Sequence, residues 1–246
     1  MNVNKNMIME TNVITKIKPI QLDILNMRTE RQRINNILAV ESILERKLTE
    51  NVNQKEYERV LCEIDITESE LLDKCANDIT MCKILGGRIA INASRQGTKD
   101  EELQIETCNI TSSKCCITIE QLTTTQFRPT KTGEIITNKQ FREKKLTKND
   151  CLKSFDAKIS GKKEGWIFAK VVIGDGGHQD NVFEEAYTLC EWIIQFGKKT
   201  DLFIILIDTN LMVKFNEFTQ KYDNQPNILI GNHITIQQYM IDNYSV

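Results

Sequence analysis

The sequence predicts an α/β fold, with a mixed central sheet flanked by helices and an N-terminal helical extension. In the first half of the 246-residue chain, apolar residues recur at helical spacing among charged residues. The second half alternates strand-like and helix-like patterns, in the order strand, strand, helix, strand, helix, strand, helix. Its apolar run LFIILID, residues 202–208, is typical of a strand buried at the centre of a sheet.

The N-terminal half divides into two predicted regions. Residues 1–85 form the helical extension, within one globular unit. A first helix carries the apolar residues Leu22, Leu25, Ile34, Leu38 and Leu44, and a second covers residues 54–82, with Gly86 and Gly87 ending it. Residues 86–150 are predicted to be β-rich, with short strand-like runs at RIAINA, LQIETCNI, CCITIEQL and GEIIT.

Residues 151–246 form the predicted α/β core. Two strands cover residues 154–159 and 166–173, and a helix capped by Asp180 runs to about Phe196. After the buried strand come a helix at residues 211–222, a short strand at NILIG and a last helix at residues 235–243.

Composition narrows the class of protein. The chain is 40% hydrophobic and 27% charged, which is ordinary for a soluble globular protein. It has no apolar run of membrane-spanning length and no apolar core of a signal peptide near its N-terminus. Eight irregularly spaced cysteines and only two histidines argue against a disulfide framework or a structural zinc site. We therefore expect a cytoplasmic protein with reduced cysteines and no membrane partner.

The charge distribution indicates a surface for phosphates. The net charge is −2, but residues 128–170 contain twelve Lys or Arg against five Asp or Glu. A basic segment on an acidic body is typical of nucleic-acid contact. The alternative is a solvated loop in a lysine-rich chain.

Asp156 and Lys170 are the central candidate residues. Each lies partway along a predicted strand, and Lys170 stands within the apolar sequence WIFAKVVI, where burying a lysine is costly unless it has a partner or a task. Beside a carboxylate that holds a divalent cation, such a lysine can position or activate a water. The structural alternative pairs Asp156 with Lys158 and lets Lys170 reach solvent.

The segments LKSFDAKI, GWIFAKVVIGDGGHQDNVFEEA and LFIILID resemble the PD-(D/E)XK nuclease superfamily, and type II restriction endonucleases in particular. The resemblance implies a restriction-endonuclease-like fold and Mg²⁺-dependent hydrolysis of double-stranded DNA at a specific sequence. It assigns the family's first acid to Asp156 and its lysine to Lys170. A symmetric homodimer follows, since cutting both strands of a palindrome needs two related sites. The N-terminal helices either form that dimer interface or pack within one subunit. A restriction system also implies a cognate DNA methyltransferase, encoded nearby.

The sequence departs from the family pattern at Phe168, where an acid is expected two residues before the lysine. Some restriction enzymes carry the missing acid on the following helix, about fourteen residues after the lysine. Glu184 lies fourteen residues after Lys170, and Glu185 fifteen. Spacing favours Glu184, whereas the helical position favours Glu185, nearer the apolar stripe. Both stay candidate catalytic and metal-binding residues.

Several polar residues are candidates for DNA contact. Residues 94–101, in the region predicted to recognise DNA, are interpreted as a DNA-contacting loop or as an ordinary polar connection. Glu102 or Glu106 is an alternative donor to the metal site. The candidate DNA-binding residues are Arg95, Gln96, Lys99, Arg128, Arg142, His178 and Gln179.

Other functions remain open at this stage. Because Phe168 cannot bind a metal, a non-catalytic DNA-binding module on a nuclease-like fold is one alternative. A repair nuclease that reads DNA structure is another. The loop GDGGHQD could also cradle a phosphate at a helix N-terminus, although it matches neither the Walker A pattern nor the dinucleotide fingerprint.

Overall fold

A five-stranded mixed sheet forms the centre of the protein, in a computed structural model that describes residues 17–48, 51–173 and 177–245, with the backbone alone at 177–180. The strands lie in the order β1, β4, β5, β6, β7. The neighbours β1, β4 and β5 are antiparallel, and β5, β6 and β7 are parallel. A mixed sheet between helices confirms the predicted fold class at this level. The strand bounds are β1 (Ile117–Gln121), β2 (Phe127–Pro129), β3 (Ile135–Thr137), β4 (Ala157–Gly161), β5 (Gly165–Val172), β6 (Leu202–Thr209) and β7 (Ile228–Gly231).

The helices of the second half follow the predicted order. Helix α7 begins at Gly177, so Asp180 lies inside the helix and not at its cap, and its side chain is outside the described residues. In the described part of the chain, no helix has both the length and the apolar content needed to cross a membrane. The helix bounds are α1 (Ile24–Leu44), α2 (Gln54–Ile64), α3 (Glu68–Asn77), α4 (Ile79–Ile89), α5 (Gly97–Ser113), α6 (Asn138–Glu143), α7 (Gly177–Phe196), α8 (Met212–Tyr222) and α9 (His233–Tyr244).

The sheet buries a different apolar cluster on each face. Because side chains alternate along a strand, Ile204 and Leu206 of β6 pack towards α5 and α9, and Ile205 and Ile207 pack towards α7 and α8. The same alternation sends Phe168 of β5 to the α7 side. This double burial explains the continuous apolar run of β6.

The helical extension has a separate core, and its sequence prediction needs correction. Residues 54–82 form not one helix but three segments, because Asp65 takes a left-handed conformation after α2 and Thr67 starts α3 with a capping box. Gly86 and Gly87 do not end a helix either; they lie within α4. Gly86 is needed for close packing, since a Cβ there would lie 2.5 Å from Val40 Cγ2 of α1.

The apolar face of α1 was also predicted incorrectly. Leu25, Ile34 and Leu44 are exposed, whereas the side buried against the other helices includes Ala39 and Ile43.

The region 86–150 is not β-rich as predicted. The runs CCITIEQL and GEIIT contain β1 and β3, but LQIETCNI lies within the 17-residue helix α5. The run RIAINA covers the end of α4 and the start of a short 3₁₀ turn. Helix α5 escaped detection because its buried side is largely polar, so it lacks an apolar stripe. Its buried polar residues are Asp100, Gln104, Thr107, Thr111 and Ser112.

A buried ion triad joins the helical extension to the sheet. The Asp100 carboxylate on α5, only 1% exposed, accepts hydrogen bonds from Arg28 Nε at 2.7 Å and Arg31 NH1 at 2.9 Å, both on α1. Ahead of α1, the Leu22 N–H donates to His233 Nε2 of α9 at 2.9 Å. The N-terminal helices therefore pack within one subunit, which is one of the two arrangements predicted for them.

We expect Asp100→Ala to lower the free energy of unfolding by about 3–5 kcal/mol, because it leaves two guanidinium groups without their shared buried partner. The matched control is Asp73→Ala, which removes a carboxylate paired with Arg46 on the surface, where both side chains are at least half exposed. The free energy of unfolding of that variant should decrease by no more than about 1 kcal/mol. Urea denaturation measures both, and equal losses would contradict the structural role of the triad.

Candidate active site

The candidate site forms where β4 and β5 separate. The last main-chain bond between them runs from Asp156 N to Ile167 O, at 2.8 Å. One residue earlier, the Phe155 N–H turns away and donates to Phe127 O of β2. The N–H and carbonyl of Ala169 on β5 therefore lose their partners in the sheet.

Two side chains take the place of the missing strand. Asp156 Oδ2 accepts from Ala169 N at 2.8 Å, and Lys170 Nζ donates to Ala169 O at 2.7 Å. Buried backbone groups must be paired, so the separation of the strands requires an acceptor and a donor at this point. Asp156 and Lys170 are brought together by this requirement.

Lys170 lies between two carboxylates. Its Nζ is 2.8 Å from Glu101 Oε1 on α5 and 3.5 Å from Asp156 Oδ2. The three side chains are only 18–23% exposed. Nζ also lies 4.9 Å from the centre of the Phe168 ring, a cation–π distance. The alternative pairing of Asp156 with Lys158 is not found among the described ion pairs, and Lys170 does not extend freely into solvent.

Burial and charge oppose each other at this site. Burial raises the pKa of the Asp156 carboxyl, against the opposite effect of Lys170 and of the Ala169 N–H; Glu185 adds to the rise. Burial also raises the pKa of Glu101, which Lys170 partly offsets. For Lys170, burial disfavours the charge, but the carboxylates of Asp156 and Glu101 outweigh it and keep the pKa above its ordinary value. Lys170 is thus an ammonium ion near neutral pH.

Two adjoining clefts open at this position. We call the first, of about 200 Å³, the Lys170 cleft; Glu101, Asp156, Phe168 and Lys170 line it. The second, the Arg128 cleft, has about 660 Å³. Both are lined by Thr124, Lys153 and Ser154, so they adjoin each other. The charged residues that line the Arg128 cleft are Arg128, Lys131, Lys148, Lys153, Glu184 and Glu185.

The two acids of α7 differ in their surroundings. Glu184 is exposed, whereas the Glu185 side chain is 29% exposed and pairs with Lys153 Nζ at 3.2 Å. Glu185 is also close enough to Asp156 to raise its pKa. Of the two, Glu185 is therefore better placed to share a cation with Asp156. His178 and Gln179, earlier on this helix, have side chains outside the described residues.

The donors available here suit Mg²⁺, which prefers carboxylate oxygen and usually takes only one or two protein carboxylates besides water and phosphate. Both close contacts of Asp156 in the described part of the chain use Oδ2, which leaves Oδ1 for a further ligand. No group of three or more His, Cys, Asp or Glu side chains among the described residues converges as a ready metal site. The residues thus fit a weakly coordinated hard cation but not a fully protein-bound one.

Sequence reasoning missed Glu101 as a site residue. It placed Glu101 in a polar loop and considered Glu102 or Glu106 for the metal site. Glu102 does line the Lys170 cleft, paired with Lys99, and Glu106 is exposed. One turn after Glu101, Gln104 Nε2 donates to Lys170 O at 3.3 Å and to Asp208 Oδ2 at 2.6 Å, which fixes α5 against β5 and β6. A helical spacing of polar residues, Glu101, Gln104 and Thr111, was the available signal.

The remaining DNA-contact candidates are dispersed. Residues 94–101 form a 3₁₀ turn and the first turn of α5, not a loop. Arg95 is exposed, Gln96 Oε1 accepts from Asn35 of α1, and Lys99 pairs with Glu102. Arg142 is exposed on α6. Arg128 alone among these candidates lines a cleft beside Asp156.

Comparison of the chain with models of protein families, with curated proteins and with solved structures gives no match.

We expect Lys170→Met to reduce the free energy of unfolding by an amount that grows with pH. The raised folded-state pKa values of Asp156 and Glu101 mean that ionising them opposes folding once the pH exceeds their unfolded values, about 4. Without the ammonium, ionising the two carboxyls opposes folding more strongly. The decrease in the free energy of unfolding of Lys170→Met should therefore be smallest near pH 4 and reach about 1–3 kcal/mol at neutral pH. Urea denaturation across this range measures it.

The control is Lys158→Met, on the neighbouring strand and away from both clefts, whose effect should be small at every pH. A Lys170→Met loss that is the same at every pH, or larger in acid, would mean that Lys170 does not stabilise the two carboxylates.

Proposed function

We propose that this protein is a Mg²⁺-dependent endonuclease that hydrolyses phosphodiester bonds in double-stranded DNA at a specific sequence. The observation that carries the proposal is the half-buried Lys170 ammonium between Asp156 and Glu101, where the Lys170 cleft meets the basic Arg128 cleft. An ion pair that only stabilises the fold needs a single carboxylate beside the lysine and does not need to line a cleft. A cation beside two carboxylates, open to a basic channel, suits chemistry on a phosphate.

The reaction joins a water oxygen to phosphorus and breaks the bond from phosphorus to the leaving sugar oxygen. Asp156 with Glu185, or with Glu184, would hold Mg²⁺. When bound, the ion supplies positive charge for the oxygens on which negative charge grows. Lys170, being protonated, donates a hydrogen bond that orients the water or the phosphate and does not itself accept a proton. Glu101, at 2.8 Å from the same ammonium and with a raised pKa, is suited to take the proton that the water loses.

The expected biological setting is a restriction system. A homodimer would present two such sites to the two strands of a palindrome, and a cognate methyltransferase would protect host DNA. These partners rest on the resemblance described above and on the logic of double-strand cleavage.

A second function has an observation in its favour. Phe168 occupies the position of the family's second acid and is buried in the α7 side of the core. Together with the missing three-ligand cluster in the described part of the chain, this supports a DNA-binding module that does not cut. Native protein that binds DNA but cleaves no sequence with Mg²⁺ would establish that alternative.

We expect Asp156→Asn and Lys170→Met each to lower the rate of plasmid cleavage with Mg²⁺ by at least about 100-fold, because the first weakens the hold on Mg²⁺ and the second removes an ammonium at the reacting phosphate. Lys158→Met should cleave like the native protein. Discrete bands from a mixed-sequence plasmid support site-specific cutting, whereas a smear or structure-dependent product supports a repair nuclease. Unchanged cleavage by either variant would refute the assignment of the site.

We expect Glu185→Gln to reduce cleavage more than Glu184→Gln, by about tenfold or more, since Glu185 is the helix acid whose charge acts on Asp156. Raising the Mg²⁺ concentration should partly restore the cleavage rate of Glu185→Gln if the lost carboxylate binds the ion. The two substitutions remove the same charge from adjacent positions of α7, so each serves as the control for the other. A larger loss with Glu184→Gln would reverse the assignment.

A further inference from the structure

We propose that the Arg128 cleft is a phosphate-binding subsite that holds a backbone phosphate of the DNA substrate and so positions the strand for Asp156 and Lys170. This proposal rests on the proposed function and adds a specific binding residue to it. The Arg128 guanidinium is buried and incompletely paired among the described residues, and this observation supports the proposal.

Arg128 is a buried cation that has no carboxylate partner among the residues that the structure describes. Its side chain lines the Arg128 cleft although the residue is only 8% exposed. Six of the nine arginines pair with carboxylates, and among the described ion pairs Arg95, Arg128 and Arg142 have none. Arg95 and Arg142 are exposed to water, so Arg128 is the exception that needs an explanation.

The guanidinium of Arg128 is also incompletely hydrogen-bonded. NH2 donates to Thr125 O at 3.3 Å, but the buried Nε–H has no hydrogen-bond partner among the described residues. Leaving a charged donor unpaired in the interior is costly. An anion in the cleft would supply the missing negative charge, and phosphate oxygens match the guanidinium fork.

The surroundings hold Arg128 in place. The guanidinium carbon lies 4.2 Å from the centre of the Phe141 ring, a stacking contact that limits its rotation. Its strand, β2, pairs with β3 on one edge. On the other edge Phe127 O accepts from Phe155 N and Pro129 O from Leu152 N. Asp156 directly follows Phe155, so a phosphate bound to Arg128 would be fixed relative to the catalytic carboxylate.

Charge in the cleft favours an anion. Lys131 and Lys148 are exposed at its wall, and neither has a carboxylate partner among the described ion pairs. Two acids oppose them, Glu184 and Glu185, and Lys153 neutralises the latter. The recessed, stacked guanidinium does not protrude as a reader of base edges must, so its contact is with the sequence-independent backbone.

The test is DNA binding without cleavage, in EDTA, with a fluorescent mixed-sequence duplex, since phosphate contacts do not depend on sequence. Arg128→Met should weaken binding about tenfold and reduce the slope of log affinity against log salt by about one. The matched control is Arg33→Met, which removes the same charge from the surface of α1 and should change neither quantity. Native affinity and slope in Arg128→Met would overturn the subsite.

A second measurement protects the test against misfolding of the variant. In native ¹⁵N-labelled protein, the Arg128 Nε–H signal should shift when the duplex is added. A shift with inorganic phosphate but none with the duplex would identify a site for free anions and overturn the proposal. Failure of the two proposals is distinguishable: Arg128-dependent binding without any cleavage refutes only the nuclease, and cleavage that ignores Arg128 refutes only the subsite.

Discussion

The separation of β4 from β5 at Ala169 is the constraint on which the candidate site depends. A strand that loses its neighbour inside a protein must find other partners for its N–H and carbonyl. Here they are the side chains of Asp156 and Lys170, one an acceptor and the other a donor. The backbone thus places opposite charges side by side at an opening in the sheet. The Lys170 cleft lies at this separation, since Asp156, Phe168 and Lys170 line it.

The ammonium of Lys170 in turn constrains the elements around it. Its second carboxylate, Glu101, comes from α5, so the first turn of that helix must stay against the sheet. Asp100, the preceding residue, is held by Arg28 and Arg31 of α1. The helical extension therefore supports the site through two adjacent acids, one structural and one facing the cleft. This gives helix α1 a role inside the subunit, independent of any dimer contact.

Features whose pattern lies within one short segment of the chain could be predicted from the sequence, whereas features that depend on distant residues could not. The order of strands and helices after residue 151 was predictable, because β6 has a continuous apolar run and α7 an apolar stripe. Lys170 was found as a charged residue within an apolar strand, and Asp156 as the acid on the predicted strand before it. Helix α5 and its Glu101 were missed because they bury polar groups whose partners lie far away in the chain. Gln104, for example, meets Asp208 across 104 positions.

The fold explains why a phenylalanine, and not an acid, stands at position 168. It lies on the α7 face of β5, packs in the core there and places its ring beside the Lys170 ammonium. An acid at this position would have to be buried among apolar side chains of the α7 layer. The carboxylates beside Lys170 are instead Asp156, just before β4, and Glu101 of α5, and Glu185 of α7 is close enough to Asp156 to raise the pKa of that carboxyl. A strand that needs its phenylalanine for packing is thus compatible with the proposed phosphodiester chemistry, provided that neighbouring elements supply the acids.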